Sequence, residues 1–526
     1  MEKITVRSTS IIINDYDLGD CPQLENKFYI WDPLYHKKVP FGMYYDKDTR
    51  RLYLPAGQPL WQIKRDLGER YYHSEANTTP KPFTRPIKMK FRPRDEEQLE
   101  ALQFMCSLGQ YTDNQYNTQL SVNLQTGKGK TYCMIGTLVF YGVKTMIITA
   151  STTLLSQWKQ EILKYTNMTD KEIYLIKGSD NINWITGDRS QVSSNTNVYL
   201  CSHGTLNRYG ETYGWDKVYE LFDTLGIGIK AFDECHKNFT NMLMIDFFSN
   251  VKKTYYISAT PERSDWREDR IYQRSYSEVP AINLFKEDQD PHTNYIALKY
   301  NSRPTPYQVD ACRHRVYGLN RIAYIDYITK SPQFYNMMHI VMNDFMIPII
   351  KKGGKVLIYI GTNEGVIRVY QWIKECYPDI ALLTGIFTSL VSKEEKLLYK
   401  QNKNVIISTT KSAGEGQDIK GLKLTIVAAE PFKSAVLAKQ TLGRTRDPNT
   451  FYIELVDLAF KKVRDYYYDK LSVFNKYAES VSDSTFDKYE LDKRANNIIE
   501  RNEDRPICPI SIVDERFDKS SNDNNI

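Results

Sequence analysis

No two cysteines in this chain are spaced C-x-x-C. The eight cysteines stand singly at 21, 106, 133, 201, 235, 312, 376 and 508. That scatter argues against zinc or iron–sulfur ligation and against a disulfide framework, and most are read as buried, reduced thiols. No apolar run approaches the roughly 18 residues a membrane span needs, so no membrane partner is expected. The opening M-E-K-I-T-V-R-S-T-S is mixed and polar, which predicts no signal peptide and a cytoplasmic protein. An excess of one charge is also missing. The net charge is only +6, with a pI near 8.6, which permits a polyanionic partner without requiring one.

What is present is length and a globular composition. With 526 residues, 41% of them hydrophobic and 25% charged, two to four domains are expected. The 39 tyrosines read first as the bias of an AT-rich genome and second as a stacking surface.

Short β-like runs at 11–13, 28–31 and 51–54 alternate with turn residues over the first 75 or so positions. The segment T-T-P-K-P-F-T-R-P (78–86) carries Pro80, Pro82 and Pro86, which stop helix and central strand alike. It reads as a linker after a small α+β domain spanning 1–80. A helix is predicted over 96–105, with Leu99, Leu102 and Met105 on its apolar face. Strands are predicted at 121–124, 145–149, 198–201, 227–232 and 254–257, with helices such as 154–165 between them. This alternation predicts a parallel sheet covered by helices, a first lobe over 88–279. It resumes over 280–459 as a second lobe. K-T-M-I-I-T-A-S-T (144–152) and K-V-L-I-Y-I-G-T-N (355–363) echo one another as a duplicated lobe would. Beyond 460, Val463, Tyr467, Leu471, Phe474 and Tyr477 lie at helical spacing, predicting a packing helix in an extension of 460–526 that ends in a frayed polar tail.

Between a predicted strand and helix lies N-L-Q-T-G-K-G-K-T-Y (123–132). Its glycines let backbone N–H groups crowd around phosphate oxygens at a helix N-terminus. Thr126, Gly127, Lys128 and Gly129 form the turn, Lys130 would reach the β- and γ-phosphates, and Thr131 would offer its hydroxyl to Mg²⁺. A common form of this motif has glycine at the position of Leu124. The run G-I-G-I-K-A-F-D-E-C-H-K (226–237) ends in adjacent acids. Asp233 can hold the metal, Glu234 can act as base toward the attacking water, and His236 follows.

D-E-C-H (233–236) resembles the D-E-x-H box of superfamily 2 helicases and translocases, and the other motifs of that family follow in order. Ser258 and Thr260 lie in S-A-T-P-E-R, similar to the motif that couples hydrolysis to strand contact. Thr410, Gly416 and Asp418 match T-x-x-x-x-x-G-x-D, and Gln440, Arg444 and Arg446 lie in Q-T-L-G-R-T-R, which resembles the arginine-finger motif. In that motif two residues separate the arginines, but here only Thr445 does, so Arg444 is the expected finger. I-T-A-S-T-T-L-L-S-Q-W (148–158), C-S-H-G-T-L (201–206) and G-T-N-E (361–364) resemble strand-tracking motifs. The resemblance implies phosphate contacts from Ser151, Thr152, Thr205, Thr362 and Thr410, base stacking by His203, packing by Trp158, and adenine reading by Gln98. It implies two tandem RecA-like lobes, ATP with Mg²⁺ held by Thr131 and Asp233, and a cleft site completed by Arg444 and Gln440.

The L-x-T-G-K-G-K-T loop, R-L-Y-L-P-A-G (51–57) and Y-I-E-L-V-D (452–457) are similar to phage helicases of the UvsW type, which carry leucine at the position of Leu124. That finer resemblance implies unwinding or branch migration of single-stranded, forked or branched DNA, in phage recombination, replication or repair, in the host cytoplasm. An RNA helicase, or a nucleic-acid-stimulated ATPase subunit that does not unwind, stays open at this point. So does the oligomeric state, with a monomer among the options.

Overall fold

The computed structural model describes residues 2–32, 36–124, 128–186, 194–235, 238–258, 266–284, 293–413, 419–442 and 449–503. The chain divides into two units, Met1–Asp288 and Gln289–Ile526.

Seven short strands open the first unit: β1 (Ile4–Val6), β2 (Ser10–Ile13), β3 (Tyr29–Asp32), β4 (Lys37–Pro40), β5 (Tyr44–Asp46), β6 (Arg51–Pro55) and β7 (His73–Ser74). β3 and β4 pair as a hairpin. The others form one sheet in the order β5-β6-β2-β1-β7, antiparallel except for β1 with β7. The N-terminal sheet is not a detached accessory. Ile11, Ile13, Leu52 and Tyr53 share one buried cluster with Phe247, Phe248 and Val251 of the following lobe. The Tyr53 and Phe248 rings lie 4.8 Å apart. Polar groups are matched across the same junction: Thr9 Oγ1 donates to the Asp246 carbonyl at 2.8 Å, and Ser8 N donates to Asn250 Oδ1 at 2.9 Å. The proline-rich segment read as a linker is pinned along the lobe by Thr78 N to Asn250 O (2.7 Å), Lys81 N to Gly226 O (2.9 Å) and Phe83 N to Gly142 O (2.8 Å). Its prolines exclude regular structure, and the amides of Thr78, Lys81, Phe83 and Thr84 find partners on the neighbouring lobe instead.

The first lobe contributes β8 (Gln119–Leu124), β9 (Thr145–Thr149), β10 (Ile173–Leu175), β11 (Val198–Ser202), β12 (Ile229–Asp233), β13 (Lys253–Ser258) and β14 (Ala281–Leu284). They form one all-parallel sheet in the order β10-β11-β9-β12-β13-β8-β14. The central strands are buried along nearly their whole length, as expected of a sheet covered on both faces.

The second unit holds β15 (Thr293–Tyr300), β16 (Lys355–Ile360), β17 (Thr384–Phe387), β18 (Val405–Ser408), β19 (Leu422–Ala429), β20 (Thr450–Asp457) and β21 (Ser480–Thr485). These too are all parallel, in the order β17-β18-β16-β19-β20-β15-β21. Numbered within its own lobe, each sheet reads 3-4-2-5-6-1-7. The two segments whose sequences echo one another contain the second strand of each lobe, β9 and β16. Two RecA-like lobes of one plan, with a small N-terminal α+β domain, are therefore present.

Three expectations change. Helix Glu96–Met105 forms as predicted, but Leu99 is 46% exposed, and the buried positions are Gln98, Ala101, Phe104 and Met105. The inward face is turned toward the loop, which needs the polar Gln98. Helix Lys461–Tyr477 buries Val463, Tyr467 and Phe474 together with Lys470, whose ammonium pairs with the buried Glu454 carboxylate. The extension is also not wholly helical. Its β21 runs beside β15 as the sheet's seventh strand before helix Lys488–Glu503. The polar tail lies outside the described residues. No described helix is long and apolar enough to cross a membrane, and the seven described cysteines are free thiols, six of them buried.

Candidate nucleotide site

Leu124 is the last residue of β8 and fully buried, so the position lacking glycine belongs to the strand and not to the turn. The described residues resume at Lys128. Gly129 then caps helix Lys130–Tyr141 with φ = 90°, a conformation glycine adopts without strain. A Cβ at Gly129 would lie 2.2 Å from Gln98 Nε2, so close approach is a second reason for glycine here. Gln98 is buried against the loop. Its Nε2 donates to Lys128 O at 3.3 Å, and its Oε1 accepts from Arg94 N at 2.9 Å. Asp95 caps the same helix by accepting from Gln98 N at 2.9 Å, and Glu97 pairs with Lys128 at 3.1 Å. The helix start is thus built to brace the loop.

Lys130 Nζ lies 3.9 Å from Glu234 Oε1 and 3.4 Å from Leu124 O. Asp233 ends β12, and Glu234 comes next with φ = 55°, a left-handed conformation rare for a non-glycine residue. That turn lets Cys235 re-enter the core, where its Sγ lies 3.5 Å from Tyr272 OH and burial pushes the thiol up to about 12. The acids are thereby left at the strand's C-terminal end. Asp233 Oδ2 accepts from Trp158 Nε1 at 2.9 Å. The sheet order also explains the place of Ser258. β13 lies between β12 and β8, so Ser258 neighbours Asn123 of β8, and Ile257 just before it neighbours Asp233. The serine of S-A-T therefore stands between the loop strand and the acidic strand.

The donor set suits a hard divalent cation. A carboxylate at Asp233 and a hydroxyl at Thr131 are the oxygen ligands magnesium prefers beside phosphates. A helix N-terminus headed by lysine suits the phosphates themselves.

The residues expected at the strand face divide. Thr152 is exposed, and Ser151 and Thr362 are half-buried; Thr362 caps helix Asn363–Cys376, its Oγ1 accepting from Gly365 N at 3.1 Å. Thr205 and Thr410 are buried. Thr205 Oγ1 lies 3.0 Å from Ser202 Oγ, and Thr410 Oγ1 donates to Glu430 Oε2 at 3.1 Å. His203 differs from its expected place. It has no exposed surface, stands edge-on to Phe232 at 5.7 Å, and has no hydrogen-bond partner on either ring nitrogen among the described residues. Burial lowers its pKa from 6.5 to about 4. Its ring is core, because the helix starting at His203 turns its first residue toward β12. Thr126, Gly127, His236, Thr260, Gly416, Asp418, Arg444 and Arg446 lie outside the described residues; Gln440 falls in helix Ala435–Leu442.

Sequence reasoning misses two features. It assigns Trp158 to packing alone, although the residue sits in the same S-Q-W segment as a strand motif. Glu430, immediately after β19, is buried between Arg321 and Thr410, with Arg321 Nε donating to Glu430 Oε1 at 2.8 Å. No periodicity marks either contact.

Repeated sheet order and a lysine loop facing an acidic strand end define a protein of two tandem RecA-like lobes with a candidate nucleotide site in the first. Residues 88–263 match the family described as type III restriction enzyme, res subunit. A 146-residue segment is 27% identical to a candidate DNA 3'-5' helicase Rad25 of Haloarcula marismortui. It covers 28% of this chain but only 20% of that protein, so the chain matches about a fifth of that relative's length. A 381-residue segment is 22% identical to a candidate helicase 161L of Invertebrate iridescent virus 6, covering 69% of this chain and 77% of that one. Among solved structures, yeast (S. cerevisiae) Dbp5 bound to RNA and ADP BeF3 has 15% identity and a TM-score of 0.49, covering 78% of this chain and 95% of that one. T4 UvsW has 14% identity and a TM-score of 0.33, with 92% of this chain and 100% of that one covered. The family match thus lies within the first unit, and the similarity to the virus protein extends over 69% of the chain.

Proposed function

We propose that the protein is an ATP-dependent DNA helicase or translocase that couples hydrolysis to unwinding or branch migration of single-stranded, forked or branched DNA, in phage recombination, replication or repair. The observation that carries the reading is the approach of Lys130 to Glu234 within 3.9 Å beside Asp233. A cation, a base and a metal carboxylate converge where a triphosphate terminus would lie.

In this reading Lys130 and the helix N-terminus bind phosphate oxygens, and Gln98 reads adenine while bracing Lys128. Thr131 and Asp233 hold Mg²⁺, which supplies charge neutralisation to the phosphates when bound. Glu234 takes the proton of the attacking water, Arg444 brings positive charge to the γ-phosphoryl group, and Gln440 contributes as a neutral hydrogen-bonding amide. An arginine finger of this kind supplies roughly a thousandfold or more in rate. Ser151, Thr152 and Thr362 touch phosphates of the strand, so binding is indifferent to sequence and sensitive to salt.

The deciding experiment measures ATP turnover alone and with single-stranded DNA, forked DNA or RNA, followed by strand displacement on a panel of fork, four-way junction and RNA duplex. Stimulation by DNA with displacement of a fork or junction supports the reading. Stimulation by RNA alone reassigns the substrate, and a protein that no nucleic acid stimulates is not this motor.

A further inference from the structure

Helix Thr153–Tyr165 begins at the turn expected to touch the strand and, within two turns, reaches the carboxylate expected to hold the metal. Ser151 and Thr152 stand just before its first turn, with Thr152 exposed. Six residues on, Trp158 is buried to 3% exposure, and its Nε1 donates to Asp233 Oδ2 at 2.9 Å. The topology explains the reach. The helix comes directly after β9, and β9 is the hydrogen-bonded neighbour of β12, with Ile148 beside Phe232. The sheet-facing side of this helix therefore lies over the end of β12. An indole N–H is a donor only, and a hydrogen bond to an ionised acceptor is among the stronger kinds. Because a carboxylate is planar about Cγ, fixing Oδ2 restricts the direction of Oδ1 as well.

We propose that Trp158 is a positioning residue that ties strand occupancy at Ser151–Thr152 to the orientation of the Asp233 carboxylate. It thereby carries part of the stimulation of ATP hydrolysis by nucleic acid. The inference rests on the motor reading above. From Thr152 to Trp158 the helix rises only about 9 Å, at roughly 1.5 Å per residue, and a single helix transmits displacement over that length with little loss. A displacement of about 1 Å at a reacting group is enough to change a rate a hundredfold. Packing alone would be served by any large apolar side chain among Leu154, Leu155 and Ile162 of the same cluster; the bond to Asp233 requires the indole nitrogen.

The test replaces Trp158 in the full chain by 3-benzothienylalanine, which keeps the ring shape and exchanges N–H for sulfur, with Trp158→Phe as a second variant. Three quantities are read: affinity for labelled single-stranded DNA by anisotropy, ATP turnover with and without that strand, and the Mg²⁺ concentration that half-saturates binding of a fluorescent ATP analogue. Strand affinity should stay within about twofold of wild type, the stimulation factor should fall about tenfold, and the magnesium half-saturation should rise several-fold. Wild-type stimulation and magnesium dependence in the isosteric variant would overturn the inference. So would a parallel loss of stimulation and strand affinity, which would place the residue in the strand site itself. If the phenylalanine variant fails to fold, the isosteric one decides. A wild-type protein that no strand stimulates is the failure of the motor reading, visible before any variant is made. In that case an unchanged magnesium half-saturation in the variant also sinks the role assigned to Trp158.

Discussion

Glu234 holds a left-handed backbone conformation at the end of β12, at a cost of about 1 kcal/mol or more for a residue with a Cβ. The strain is held in place by the next residue, Cys235, which is fully buried and whose N–H donates to Ile257 O at 3.1 Å. Glu234→Gln preserves this geometry and removes only the carboxylate proposed as the base. It should leave ATP binding near wild type and lower kcat by at least about a hundredfold, as single-turnover hydrolysis would show. His203 gives the pH prediction. Unfolded, it titrates near 6.5, and folded near 4 because of burial. Between these values the unfolded chain binds a proton that the folded chain does not, so stability falls as pH drops from about 6.5 to about 4, by up to about 3 kcal/mol, and no further below. Denaturant unfolding across that range should show the slope, and His203→Phe should flatten it. Lys130, Asp233 and Glu234 are legible in the sequence because each lies in a short motif whose spacing is the chemistry. Trp158 and Asp233 meet across 75 positions, and no local pattern records such a contact. The C-S-H-G-T-L motif suggests a surface role for His203 and does not show which way its ring turns.

At the scale of elements, the loop and its bracing helix act as one piece. Gly129→Ala places a methyl group against Gln98 and forces a left-handed residue to carry a Cβ. Nucleotide affinity should drop at least about tenfold in calorimetric titration while the thermal transition moves little. The C-terminal helix supplies a second case. Lys470 and Glu454 are buried together, and Glu454 Oε2 also accepts from Tyr295 OH at 2.8 Å. Lys470→Met leaves that carboxylate without its cation and should destabilise the second unit by about 3 kcal/mol, read from its denaturant midpoint. Strand positions are readable because buried parallel strands are continuous apolar runs. The edge strand β21 is not. Its sequence S-V-S-D-S-T is exposed throughout, so its place in the sheet is set by backbone pairing with β15 rather than by an apolar pattern.

At the scale of the molecule, the N-terminal sheet and the first lobe share one core. A chain begun at residue 88 would uncover Phe247, Phe248 and Val251, which now pack among Ile11, Leu52 and Tyr53. Such a truncation should lower the melting temperature of the first unit by about 10 °C or drive it to aggregate, as calorimetry and light scattering would show. The proline run that looks like a linker misleads because proline excludes helix and strand equally whether a segment hangs free or is strapped down. Its hydrogen bonds to Asn250, Gly226 and Gly142 lie in the tertiary structure alone.

The shared strand order 3-4-2-5-6-1-7 puts corresponding places of the two lobes side by side for comparison. The end of the fifth strand is the telling one. In the first lobe that place holds Asp233, partly accessible beside the phosphate loop. In the second it holds Glu430, buried under the Arg321 guanidinium and the Thr410 hydroxyl. One plan thus sets a carboxylate at the end of the same strand twice, once beside the lysine loop and once bound into a buried clamp.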